Sequence, residues 1–483
     1  MNIKNISANI GKALLVNALF MLISVIISAI NGFDSGFTPL LISFLITTIV
    51  GSFPHIFSRG SSQDSIQDGY ITIVLAWLLS FIFGMLPYVL WGGEFTIMNA
   101  WFESVSGYTT TGSTILTDIE ALPHSLLFWR SSTHFIGGLG VIVFLLLILP
   151  DSSSFKFKLS NLELSSIAKD GYRYKSSKTV KVIISIYLGL TVAESLCLWI
   201  AGMSSFDAIN HAMSTVATGG FSTRNLSIMH YDSVAIDIII MVFMVLASMH
   251  FGIIFAIFAQ KSLRPLTNPV TKYYLGVILV LSLMVTASLM HTGGHGGFGE
   301  ALLEGSFQTI SFISTTGFGQ SDTAMWPALA TALLIFASIH CGCAGSTTGG
   351  IKSDRMLIAG KGLAAEFRRK LSPYSVFKVR LGNTVIEDED ISSVFLFIVL
   401  YIILIFTTFV AVMMCGVELG EAFSGTVSSI GNVGPGIGEL GTMGNFASQP
   451  EPAKFIYTIA MFMGRLEIFP VLIVLSLMFK RNR

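Results

Sequence analysis

The sequence predicts an all-α polytopic membrane protein, an N-terminal helix hairpin followed by four helix, pore-loop, helix repeats around a central pathway. Three observations carry that expectation. Hydrophobic residues make up 52% of the 483 and charged ones only 12%, with a mean hydropathy of +0.74, which leaves too little polar surface for a water-soluble chain of this size. Apolar runs of about 20 residues, enough to cross about 30 Å of hydrocarbon, recur along the chain. Four short loops also repeat one pattern: Thr110-Thr111-Gly112-Ser113, Thr218-Gly219-Gly220-Phe221, Thr315-Thr316-Gly317-Phe318 and Asn432-Val433-Gly434-Pro435.

The elements follow in order. Ala13 to Ile30 and Pro39 to Phe57 form the hairpin, within residues 1–60. The first repeat, 61–155, runs from the span Tyr70 to Trp91 through a short segment, Phe95 to Tyr108, and the first loop to the span Leu126 to Leu149. In the second, 156–265, Val180 to Ala201, Phe206 to Val216 and Val234 to Ala259 take those places. The third, 266–380, uses Tyr273 to Met290, Phe298 to Ser314 and Trp326 to Ile358; the fourth, 381–483, uses Ile391 to Cys415, Glu418 to Ile430 and Ala453 to Phe479. Ten crossings result. The four short segments cannot span, so they are expected to be re-entrant helices. Glu94, Asp207, Glu300 and Glu418 near their starts suit the positive end of a helix dipole.

Charge tests the topology, because cytoplasmic loops near helix ends are enriched in Lys and Arg. With the N-terminus inside, all but four of the 28 basic residues fall on the cytoplasmic face, including Lys4, Lys12, Arg59, the run from Lys156 to Lys181 and the run from Lys352 to Arg380. Arg130, Arg224 and Lys454 would lie outside, and Arg465 falls within the last span. Both termini are therefore expected in the cytoplasm, and the first apolar run is read as a retained helix that leads into a second span. A net charge of zero gives no global pull towards nucleic acid. Cys197, Cys341, Cys343 and Cys415 carry no disulfide or metal spacing, and His291 and His295 lack a third ligand. His134 and His250 read as hydrogen-bonded packing residues. No nucleotide-binding or nucleophile motif stands in context, so no enzyme and no bound organic cofactor are expected.

Non-helical backbone at membrane depth is tolerated only where it is buried or lines water. Four loops at that depth, with glycines spaced by roughly 100 to 120 residues, therefore point to a shared aqueous path. A ring of backbone carbonyls replaces the hydration shell of an alkali cation. Glycine permits the backbone angles this needs without a side chain blocking the path, and Thr110, Thr111, Thr218, Thr315, Thr316, Asn432 and Val433 beside Gly112, Gly219, Gly317 and Gly434 form the candidate ion site. Two further features stand out. Gly342-Cys343-Ala344-Gly345-Ser346-Thr347-Thr348-Gly349-Gly350 is too rich in glycine for a straight helix and is expected to break the eighth span. Arg465, in mid-span, is expensive unless it faces water or a partner; Glu467 and the carbonyls of the Gly342 to Gly350 segment are the two candidate partners.

On these residues the chain resembles the TrkH/KtrB/HKT superfamily of potassium transporters, its TrkH branch most closely, over nearly its whole length. The resemblance implies that Gly112, Gly219, Gly317 and Gly434 match the four filter glycines. In plant relatives a Ser at the first of these accompanies sodium selectivity, so Gly112 leans towards K+. It implies further that the Gly342 to Gly350 segment is an intramembrane gate and that Arg465 sits in the pore below the filter. It also implies a homodimer in the bacterial inner membrane and a cytosolic TrkA-like nucleotide-binding regulatory subunit. Potassium uptake with K+ as permeant ion is the expectation; an H+- or Na+-coupled symporter, a Na+-permeable variant and a membrane scaffold subunit are the alternatives.

Overall fold

The computed structural model describes residues 3–57, 65–148, 176–292, 297–375, 377–382 and 384–480. Arg59, the basic run from Lys156 to Lys175, His295 and the last three residues lie outside the described residues.

Helices α1 (Ile3–Ile30) and α2 (Phe37–Phe57) pair as the expected hairpin. Their backbones approach closely at Gly11 and Gly51, where a β-carbon on either would press on the other's carbonyl oxygen. Small residues at such crossings give the van der Waals contact that associates helices in lipid, where burial from water supplies no force. The hairpin's turn is tied to the rest of the molecule by Asp34, whose carboxylate accepts from Ser28 Oγ (2.5 Å), Gly36 N (3.1 Å) and Ser125 Oγ (2.7 Å).

Four times thereafter the chain runs helix, short helix, loop, helix. The first unit comprises α3 (Ile66–Gly84), α4 (Leu86–Trp91), α5 (Ile97–Tyr108) and α6 (His124–Ile148). The second has α7 (Ser176–Ile200), α8 (Ser205–Val216), α9 (Val234–Ser248) and α10 (Phe251–Gln260). The third has α11 (Pro269–Thr292), α12 (Phe298–Ile313), α13 (Ala328–His340) and α14 (Ser353–Leu371), then a small antiparallel hairpin of β1 (Val379–Leu381) and β2 (Thr384–Ile386). The fourth has α15 (Asp388–Met414), α16 (Leu419–Gly431), α17 (Glu451–Arg465) and α18 (Phe469–Lys480). Six described helices are long and apolar enough to cross a membrane, and two bent pairs raise the number to eight. The other two expected crossings correspond to α6 and to α13 with its broken continuation.

The short helices α5, α8, α12 and α16 match the segments expected to be re-entrant. Hydroxyls cap two of them: Thr96 Oγ1 accepts from Asn99 N (3.2 Å) and Ser204 Oγ from Asp207 N (3.0 Å), satisfying donors that a helix start leaves free. Two expectations need correction, because the sixth and tenth spans are not continuous helices. The sixth turns by 102° between α9 and α10, and the tenth by 105° between α17 and α18. At the first break His250 Nδ1 accepts from Gly252 N (2.9 Å), starting a new helix. At the second, Glu467 and Ile468 both take left-handed backbone angles, φ 55° and 62°, and an ion cluster holds the turn. The break expected in the eighth span is present, from Cys341 to Lys352.

Candidate functional site

Each short helix ends in the same way. The last turn closes with an N–H to carbonyl bond five residues back: Thr111 N to Ser106 O (2.9 Å), Gly219 N to Ser214 O (2.8 Å), Thr316 N to Ser311 O (3.0 Å) and Val433 N to Ser428 O (2.9 Å). Beside each runs a shorter bond, from Thr110 N to Gly107 O, Thr218 N to Thr215 O, Thr315 N to Phe312 O and Asn432 N to Ser429 O. This pair of bonds is the Schellman ending of a helix, which needs one residue in the left-handed region. Thr110, Thr218, Thr315 and Asn432 take that place, with φ of 52°, 55°, 57° and 55°. Glycine ordinarily fills it, and a β-branched residue there is strained.

Two residues further on stand Gly112, Gly220, Gly317 and Gly434, with φ of 82°, 83°, 76° and 103°. This corrects the second loop: its register places Gly220, not Gly219, with the other three glycines. Counting begins at the left-handed residue, which a Thr-Gly-Gly sequence does not reveal. The four loops then close on one another. A β-carbon on Gly112 would fall on the carbonyl oxygen of Gly219, one on Gly220 on that of Thr316, one on Gly317 on that of Val433, and one on Gly434 on that of Thr111. Each loop thus lays its glycine against the carbonyl of the next, and the fourth returns to the first. Gly112, Gly220 and Gly317 are partly exposed between buried neighbours, and Gly434 is buried. Cross-loop bonds lock the fourth to the first: Ser113 Oγ donates to Gly434 O (3.0 Å) and Asn432 Nδ2 to Thr111 Oγ1 (3.0 Å). Thr110 Oγ1, Thr315 Oγ1 and Asn432 Oδ1 are buried oxygens without a protein partner.

Behind each loop stands a serine at a fixed spacing that the sequence carries but the Thr and Gly pattern does not point to. Ser106, Ser214, Ser311 and Ser428 each stand four residues before the left-handed residue. In the second and third loops their hydroxyls also hold the carbonyl after the glycine, Ser214 Oγ to Phe221 O (2.7 Å) and Ser311 Oγ to Phe318 O (2.8 Å). Arg130, expected from sequence to lie on the outer side, is buried with Glu103 in an ion pair of 2.8 Å.

The segment from Gly342 to Gly350 lies against the inner ends of these helices. Thr347 Oγ1 donates to Val216 O at the end of α8 (3.1 Å), and a side chain on Gly349 would strike Gly431 O and Asn432 Oδ1. Cys343 N donates to Ser248 O (2.9 Å) and Phe251 N to Gly345 O (3.2 Å), so the segment also grips the break between α9 and α10. Ala344 N donates to Asp354 Oδ2 (2.6 Å), while Ser346 Oγ bonds both Cys343 O (2.6 Å) and Thr348 Oγ1 (2.8 Å). Gly350 packs on Cys341, whose Sγ would meet any side chain there. Of the two partners expected for Arg465 the carbonyls are the right one: its guanidinium, 3% exposed, donates to Thr347 O and to Gly137 O of α6 (3.2 Å). Glu467 instead binds Lys352 (2.6 Å) and Arg355 (2.5 Å).

A family model described as TrkH, cation transport protein, matches residues 39–482. The chain belongs to the TrkH family. Among TrkH relatives, the Trk system potassium uptake protein TrkH of Salmonella typhimurium is 34% identical over 446 residues, 91% of this chain and 92% of that one. The protein of the same name from Escherichia coli K12 is 32% identical over 493 residues and covers both chains fully. The crystal structure of the potassium transporter TrkH from Vibrio parahaemolyticus superposes with a TM-score of 0.89 at 30% identity, covering 98% of this chain and 99% of that one. The TrkH family is a transport family and not an enzyme family, and the chain is a polytopic all-α membrane protein.

Proposed function

We propose that this chain takes up potassium ions across the bacterial inner membrane through a channel-like path whose selective element is the ring of four loops. The observation that carries the reading is the ring closure, in which the carbonyls of Thr111, Gly219, Thr316 and Val433 each abut the next loop's glycine. Such a ring offers a dehydrated K+ oxygen ligands in place of water. The unpartnered oxygens of Thr110, Thr315 and Asn432 add candidate ligands, and four helix C-termini contribute about half a negative charge each. The names of the relatives support K+ as the permeant ion. The Gly342 to Gly350 segment, packed on the inner helix ends and held by Arg465, acts as the gate. The repeat boundaries at 60, 155, 265 and 380, cytoplasmic termini, a homodimer and a TrkA-like regulatory partner belong to the same reading.

Flux of K+, Rb+ and Na+ into proteoliposomes, with and without a proton gradient, tests it. K+ and Rb+ should pass in preference to Na+ without need of the gradient; uptake that requires the gradient, or a Na+ gradient, would make the protein a coupled symporter. Gly→Ser at 112, 220, 317 or 434 should lower K+ preference, because the new β-carbon displaces the facing carbonyl. Unchanged permeability ratios in all four would remove the ring as the selective element, and absence of any cation flux would leave the scaffold alternative.

A further inference from the structure

The four loops are alike in backbone but not in what stands behind them. Loop two alone has two successive glycines, Gly219 and Gly220, where the others place Thr or Val before the glycine. Its backbone is the freest of the four, since glycine lacks the side-chain restraint on φ and ψ. Yet Gly219 O is one of the four ring oxygens, so something outside the loop must fix it.

That support comes from α6 of the preceding repeat. Phe221, next after the two glycines, lies against two residues one helical turn apart. The Arg130 guanidinium carbon stands 4.1 Å from its ring centroid, and the His134 ring stacks on it at 4.1 Å and 17°. Arg130 also donates to Ser222 O (3.2 Å) and Thr114 Oγ1 (3.3 Å), while Glu103 of α5 holds the guanidinium through Nε (2.8 Å). His134 Nδ1 lies 2.9 Å from Ser214 Oγ. Ser214 Oγ also donates to Phe221 O (2.7 Å), and the Phe221 N–H donates to His134 Nδ1 (3.4 Å), so imidazole, serine and loop backbone form one cluster. A side chain on Gly219 would strike the imidazole ring. Phe318, which holds the same place in loop three, has among the described residues a single ring contact, with His211, tilted at 5.7 Å.

We propose that Arg130 and His134, acting through Phe221, are positioning residues that fix the carbonyl of Gly219 and thereby set the K+ over Na+ preference of the ring. They touch no ion; they hold the one loop that cannot hold itself. A cation over an aromatic face and a stacked imidazole are both attractive, most of all when desolvated, and together they bias a diglycine segment between neighbouring conformations.

The inference rests on the ring being the selective element, and the test keeps the two apart. Permeability ratios and melting temperature are measured on His134→Leu, His134→Asn, Phe221→Leu, Phe221→Tyr and the charge-neutral pair Arg130→Gln with Glu103→Gln, beside Gly112→Ser. His134→Leu, Phe221→Leu and the double variant should lower the K+/Na+ ratio at least about fivefold, a bias of roughly 1 kcal/mol, with melting temperatures near that of the parent. Phe221→Tyr keeps the stacked face, and His134→Asn keeps a polar group, donor and acceptor both, for Ser214 and Phe221 N, so both should retain most of the preference. Ratios within about twofold of the parent in both leucine variants, while Gly112→Ser shifts, would overturn the brace and leave the ring standing. If Gly112→Ser leaves the ratio unchanged as well, the ring itself is not selective. Failure of both leucine variants to fold would also overturn it, since residues needed for the whole fold do not act on one loop.

Discussion

Three threonines and an asparagine stand where a helix ending asks for glycine. A left-handed backbone costs an L-residue about 1–2 kcal/mol, so Thr110, Thr218, Thr315 and Asn432 together store strain that the ring contacts must offset. What the side chains add is oxygen at a fixed height in each loop, which glycine would not supply. Strained backbone held by surrounding structure is common where function sets the geometry. Arg465 makes the opposite choice, a full positive charge satisfied only by neutral carbonyls. In water two unit charges at 4 Å interact by only about 1 kcal/mol, and in a low-dielectric path by several times that. Arg465→Gln and Arg465→Ala should therefore speed K+ passage, about tenfold if the barrier falls by roughly 1.4 kcal/mol, while Arg465→Lys stays slow. Because Glu467 binds Lys352 and Arg355, Glu467→Gln should not reproduce that gain. A slower flux that tracks a lower melting temperature in the neutral Arg465 variants would refute the barrier.

At the scale of elements, three of the four closing helices are broken, and each break meets the Gly342 to Gly350 segment or the Lys352, Glu467 and Arg355 cluster beside it. α9 ends where Ser248 O takes Cys343 N, α13 ends where the segment begins, and α17 ends at Arg465. Only α6 runs on unbroken to Ile148. Removing Gly345 to Gly349 should raise basal K+ flux per inserted molecule; a fall instead would mean that the segment supports the ring and does not close it. The bend after α17 depends on Glu467 between two cations. Glu467→Leu takes the carboxylate from Lys352 and leaves Arg355 with Ile351 O and the Phe397 ring; the cluster is partly exposed, so the loss stays below the roughly 3–5 kcal/mol of a fully buried pair, and a measurable drop in melting temperature is expected. The paired change of Lys352→Met with Glu467→Leu should recover part of it.

For the whole molecule the proposed orientation rests on charge. Basic residues gather in α14 and the segment after it, including Arg368, Arg369 and Lys370 in its last turn, whereas the connections after the ring loops are poor in them. Tyr374 is fully exposed and Met325 largely exposed, which makes them accessible labelling sites for the two faces that the charge pattern predicts. Tyr374→Cys should react with a membrane-impermeant maleimide only from the cytoplasmic face, and Met325→Cys only from outside. Labelling of both from one face would contradict the topology and with it the assignment of an inner gate.

Composition, apolar length and a fourfold Gly loop were enough to give the membrane, the hairpin, the repeats and the place of the loops, because these depend on local chain properties and on the thickness of the bilayer. The break in the eighth span was legible too, since glycine is poor in helix interiors. The bends at Met249 and Leu466 were not: each is held in part by groups distant in sequence, Cys343 N at the first and Lys352 with Arg355 at the second, and His250 or Arg465 alone within an apolar run does not reveal a bend. Nor could the sequence show that Gly220 is the ring glycine, that Arg130 lies buried with Glu103, or that Arg465 chooses Thr347 O over Glu467. Those outcomes turn on which backbone oxygen faces which neighbour, and only when four repeats pack around one axis do residues about 100 to 300 apart come within hydrogen-bond distance.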